Sequence, residues 1–118
     1  MADAGLFIGW GQVVRGREER ALAVFGEALQ LYARLEDEGR IESHEVVLLT
    51  PHGGELAGYA LLRGTEDQID VLRHADDFMR SIQRADLIVE NLGVIDAALG
   101  EGLAKQIAAF QEELAVVA

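Results

Sequence analysis

Two apolar stretches joined by one tight turn constrain this chain more than any other feature. They lie between Gly39 and Gly64, in GRIESHEVVLLTPHGGELAGYALLRG. Pro51 presets φ and the glycines at 53 and 54 permit φ > 0, so PHGGE is a turn with a mechanism. The flanking runs, Ile41–Thr50 and Leu56–Arg63, read as antiparallel strands. A hairpin with one face in water alternates apolar and polar residues. Val46-Val47-Leu48-Leu49 and Tyr59-Ala60-Leu61-Leu62 do not alternate, which predicts that both faces are covered. Helices can cover one face. A chain of 118 residues has little left for the other, so a second subunit is expected there.

The surrounding elements follow from periodicity. Leu6–Val13 alternates as a strand, with Phe7, Gly9, Gly11 and Val13 on one side and Leu6, Ile8, Trp10 and Gln12 on the other. From Arg17 to Glu38 the spacing is helical, with Ala21, Phe25, Ala28, Leu29, Tyr32 and Leu35 on one stripe and Gly39 as the stop. Thr65-Glu66-Asp67-Gln68 is a capping box opening a helix that turns Ile69 and Leu72 inward. A restart at Asp76 turns Phe78 and Ile82 inward. Leu87–Ala97 reads as a fourth strand. A last helix, about 101–116, carries Leu103, Ile107, Phe110 and Leu114 on one stripe. The order β-α-β-β-α-β plus a C-terminal helix predicts an α+β, ferredoxin-like fold. It has a four-stranded antiparallel sheet, with both crossover helices on one face. One domain spans 1–118.

Composition narrows the partners. A net charge of −11 argues against nucleic acid, which needs clustered Lys and Arg, and against an anionic membrane surface. Without cysteine there is no thiolate metal site and no thiol catalysis, a composition that suits a reducing cytoplasm. His74 and Asp77 share a helix face but have no further ligand at metal spacing, so no metal is expected. Gly9-x-Gly11 sits within a strand and lacks the third glycine of a dinucleotide site. No cofactor is expected.

The layout over residues 6–97 resembles the dimeric α/β-barrel superfamily, in which two ferredoxin-like sheets pack face to face. The local cues are GREERALAVF, LEDEGRIES, GELAGYALLRGT and ADDF. Among its members the chain is similar to the antibiotic-biosynthesis monooxygenase-like and YCII-like groups. The resemblance implies a homodimer formed through the sheet. The superfamily includes cofactor-independent oxygenases, haem-degrading enzymes and isomerases, so a cofactor-independent enzyme acting on a small organic molecule is one implied function. A non-catalytic dimeric binding module is the other. YCII-like members are associated with a His and Asp pair. Here Asp77 precedes Phe78 in a comparable stretch, but the first helix holds no histidine.

Residue size suggests how the faces are dealt. Gly9, Gly11, Gly58 and Ala60 are small enough for close helix approach, which predicts Trp10, Gln12, Tyr59 and Arg63 on the helix-free face. On strand 4 the choice lies between Asn91 and the pair Glu90/Asp96. On strand 2 it lies between His44 and the pair Ser43/Glu45. One bulge reverses either parity. For an enzyme, the candidate catalytic residues are His44 and Glu90 to move a proton and Arg63 to hold an anionic oxygen. Trp10 and Tyr59 are candidate walls of the ligand site, and Asn91 a hydrogen-bonding partner for a substrate oxygen. Each has a plainer reading: Trp10 as a core aromatic, His44 as an edge residue, Arg63 and Glu90 as ion-pair partners.

Overall fold

The computed structural model describes residues 2–118. The chain runs β1 (Ala4–Trp10), α1 (Glu18–Asp37), β2 (Ser43–Leu48), β3 (Gly58–Gly64), α2 (Glu66–Arg73), α3 (Asp76–Asp86), β4 (Gly93–Ala98) and α4 (Glu101–Val117). The strands form one sheet in the order β2-β3-β1-β4, and every neighbouring pair is antiparallel. β1 and β3 are therefore central, with Leu6 opposite Leu62 and Ile8 opposite Ala60.

The alternation of a strand deals its side chains to two sides. On one side Leu6, Ile8, Ala60, Leu62 and Val46 meet Leu31, Tyr32 and Leu35 of α1, Ile69 and Leu72 of α2 and Phe78 of α3. Leu6, Leu35, Ile41, Leu62 and Leu72 are among the side chains wholly removed from water. The other side carries Phe7, Tyr59, Leu61, Val47, Arg63 and Ile95, and no helix of the chain lies over its centre. There Phe7 and Tyr59 stack with ring centroids 5.0 Å apart, and Arg63 pairs with Glu45.

Local chemistry fixes the helix layer. The Thr65 hydroxyl accepts from the Gln68 N–H at 3.1 Å, and the Gln68 side chain accepts from the Thr65 N–H at 2.8 Å. This is the expected capping box. Arg40, just after α1, grips Asp77 in the first turn of α3 with two parallel hydrogen bonds of 2.8 and 2.9 Å. That clamp joins the two helices at one end of the sheet.

Three expectations need correction. First, Trp10 lies on the helix-covered side, packed edge-on against Phe25 of α1 at 6.1 Å. The glycines of β1 face the open side. A Cβ at Gly9 would stand 2.8 Å from the Phe7 ring and 3.1 Å from Leu56, so glycine there makes room for open-side neighbours. Second, Leu87–Leu92 is not strand. Leu87, Ile88 and Val89 close the end of α3 by donating to carbonyls of Arg84 and Ala85. Asn91 then takes a left-handed φ of 56° and redirects the chain into β4. A Val13–Val89 bridge continues the β1–β4 register beyond this kink, which is why the sequence reads as one long strand. Third, Leu31 enters the core of α1, whereas Leu29 is partly exposed.

Helix α4 is present as expected, but within the chain it buries no residue. Among the described residues no helix is long and apolar enough to cross a membrane.

Candidate functional site: an apolar cavity between two helices and the sheet

Four small residues open an apolar cavity between the helices and the sheet. Ala21 and Ala28, two turns apart on α1, and Ser81 and Ala85, one turn apart on α3, face one another over the sheet. Where larger residues would interlock, these leave a space of about 450 Å³ floored by Ile8, Trp10 and Val46. Phe25, Tyr32 and Ile82 form its walls, and Val13, Leu22, Leu29 and Leu48 its rim. The volume lies within the range of about 300–1,000 Å³ typical of small-molecule sites.

The lining is apolar apart from a few groups. Among the described residues, neither the Trp10 indole N–H, the Tyr32 hydroxyl nor the Ser81 hydroxyl makes a hydrogen bond within the chain. No fully enclosed side-chain nitrogen or oxygen among those residues lacks a partner. The three groups therefore keep contact with solvent, although Tyr32 and Ser81 are only 5% and 7% exposed. Burial pushes the Tyr32 phenol up to about 12, so it stays protonated near neutral pH and offers a donor. Glu18 is the one carboxylate in the lining, and it already accepts the Gly16 N–H at 2.9 Å.

The residues singled out from sequence are scattered around this cavity. Trp10 is part of it. His44, on edge strand β2, faces the helices, where Nδ1 lies 2.9 Å from Glu36 Oε1 and its ring 6.2 Å from that of Tyr32. Tyr59 and Arg63 are on the open side of the sheet. Glu90 is exposed beyond α3, where its backbone exchanges hydrogen bonds with Gly11 and Gln12. Asn91 is exposed at the kink. His44, Arg63 and Glu90 thus occupy three separate places and do not converge. Tyr32, Ser81 and Phe25 are among the lining residues that sequence reasoning did not mark as a site. The available signal was the small-residue spacing of Ala21/Ala28 and Ser81/Ala85, which fits tight packing as readily as a void.

The remaining polar clusters are structural. Arg40 hydrogen bonds, the largest influence, hold the Asp77 carboxyl below its usual range against the opposing effect of burial. His52 staples its own loop, accepting the Gly54 N–H at 3.2 Å while Nε2 meets the Leu56 carbonyl at 2.7 Å. That geometry suits a proton on Nε2.

No family model matches the sequence, and no curated protein matches it. Solved structures do share the fold. One is a dimeric protein of unknown function and ferredoxin-like fold from Bacteroides fragilis NCTC 9343, with a TM-score of 0.61 and 13% identity over 81% of this chain and 96% of that one. Another is SnoaB, a cofactor-independent oxygenase from Streptomyces nogalater, with a TM-score of 0.53 and 14% identity over 84% and 95% of the respective chains. At such identities the likeness is one of architecture. The class is accordingly ferredoxin-like α+β, a four-stranded antiparallel sheet with its helices on one side.

Proposed function

We propose that this chain is a small-molecule-binding protein that works as a homodimer. The ligand site is the cavity between α1, α3 and the sheet. One observation carries the reading: an unfilled apolar space of about 450 Å³ in which an indole, a phenol and an alcohol have no partner in the chain. A ligand suited to it is largely apolar, with one or two acceptor oxygens to meet those donors. The open face of the sheet, with Phe7, Tyr59, Leu61 and Ile95, serves pairing rather than binding, as the dimeric Bacteroides neighbour makes reasonable.

Binding is favoured over turnover by the lining itself. A protonated phenol, an alcohol and an indole position a molecule but do not take a proton from it, and Glu18 is engaged by Gly16. Oxygenase chemistry of the kind SnoaB is named for remains the second reading, favoured by the shared fold and by an apolar site with room for an organic substrate.

Trp10, the sole tryptophan, is a built-in reporter. The neutral dye N-phenyl-1-naphthylamine should bind once per chain and quench Trp10 by energy transfer. Ala28→Phe, which fills the cavity, should weaken that binding by roughly tenfold or more, about 1.4 kcal/mol, with the circular dichroism unchanged. Absence of saturable binding, or binding indifferent to Ala28→Phe, overturns the proposal. Oxygen uptake with an aromatic phenol tests the second reading.

A further inference from the structure

The short link before α4 leaves that helix no way to cover its own apolar side. Only Leu99 and Gly100 separate β4 from α4. The Leu99 N–H donates to the Asp3 carbonyl at 3.1 Å and the Gly102 N–H to the Leu99 carbonyl at 2.8 Å. Gly102 lies so close to the Asp3 carbonyl that no side chain fits there. These contacts fix where the helix leaves the sheet. Gly102, Lys105, Gln106 and Ala109 line the groove shared with α2. At 100° per residue, Leu103, Ile107, Phe110, Leu114 and Val117 gather on the face beside that groove. All five are exposed, Phe110 by 67% and Val117 by 81%.

We infer that this stripe docks on a second copy of the chain and forms part of the same interface as the open sheet face. The inference rests on the reading that two copies meet through that face. Charge supports a second copy as the occupant. The chain carries a net −11, yet the open face holds one internally compensated ion pair, Arg63–Glu45, and the stripe holds no charge. It is the surface on which two such chains can meet without opposing like charges. Extent supports it as well. The open-side strand positions alone fall short of the roughly 20–30 residues that one side of a standard interface uses, and the stripe enlarges the patch toward that size. A two-fold pair presents the same patch from each partner, so both arms are used.

The test keeps the full chain and its charge. In Ile107→Gln/Phe110→Gln the dimer dissociation constant, measured by light scattering over a dilution series, should rise by roughly 30-fold or more. The circular dichroism and N-phenyl-1-naphthylamine binding should not change. Ile95→Gln, on the sheet face, is measured in parallel. If Ile95→Gln weakens the dimer and the α4 variant does not, the α4 inference is wrong while the sheet-face reading stands. If only the α4 variant weakens it, the copies meet through α4 without the sheet face, and both the shared interface and the sheet-face reading are overturned. A wild-type chain that runs at 12.8 kDa at 100 µM overturns both.

Discussion

Replacing Gly58 by alanine tests whether the indole of Trp10 is locked against the sheet. Gly58 lies directly opposite Trp10 across β1 and β3. A Cβ built at Gly58 would stand 2.8 Å from Trp10 Cζ2, 3.0 Å from Cε2 and 2.8 Å from the Val47 carbonyl oxygen. The indole and the carbonyl must both give way. Overpacking of this kind costs about 1–3 kcal/mol. An unfolding entropy of about 2.1 cal/mol/K per residue over 118 residues makes each kcal/mol worth about 4 °C. Gly58→Ala should therefore lower Tm by about 4–12 °C and shift Trp10 emission, because the displaced ring moves toward the cavity. Trp10→Phe shortens the ring on that side, so in the double variant part of the alanine penalty should vanish. The part that persists belongs to the Val47 carbonyl. A double-mutant cycle by chemical denaturation separates the two shares, and a coupling of about 0.5–2 kcal/mol is expected. If Gly58→Ala costs under about 0.5 kcal/mol, or the cycle is additive, the indole is not held where the structure places it.

Other expectations follow from single contacts. Asp77→Asn should cost about 1 kcal/mol at neutral pH, a figure kept low because the Arg40–Asp77 pair is more than a third exposed. The folded carboxyl titrates below the unfolded value of about 3.9. The stabilisation is thus present above about pH 4 and lost as pH falls through the folded value. Denaturant midpoints for wild type and variant should converge on acidification, and a constant gap down to pH 2.5 would refute the assignment. Thr65→Ala removes half of the capping box and should lower stability by about 1 kcal/mol. Adding Gln68→Ala should cost less than its single value, read as sub-additive Tm shifts. Gly102→Ala forces α4 off the Asp3 carbonyl, so amide exchange in α4 should accelerate while β1 and β3 stay protected. Unaltered α4 exchange would show that the link does not fix the helix.

The layout was legible because each element announced itself locally. The capping box at Thr65 and Gln68, the stop at Gly39 and, apart from Leu29, the inward stripe of α1 stand in the structure where they stand in the sequence. The faces of β1 were not legible. Small size was taken to mean helix contact, whereas Gly5 and Gly9 are small because Leu61, Leu99, Phe7 and Leu56 crowd the opposite side. On β3 the same size rule held, with Gly58 and Ala60 toward the helices and Tyr59 and Arg63 on the open side. Leu87–Asn91 misled because its apolar composition serves two ends at once, the last turn of α3 and the bridge to Val13. The cavity was hidden for a related reason. Alanines facing alanines encode either close approach or empty space, and only the distance between α1 and α3 decides which.

The strand order also bears on how the chain comes together. β1 precedes the other strands in the sequence, yet both its neighbours, β3 and β4, come from far downstream. The β2–β3 hairpin and the α2–α3 pair have their partners close by, so they can form early. β1 gains partners only after long loops close, a step that carries most of the entropic cost. Until then Leu6-Phe7-Ile8 is an unpaired apolar strand beside a second exposed edge, a setting prone to mispairing between molecules. Pulse-labelled hydrogen exchange during refolding should find β2 and β3 protected before β1. The centre of the finished sheet would then be the last part to close.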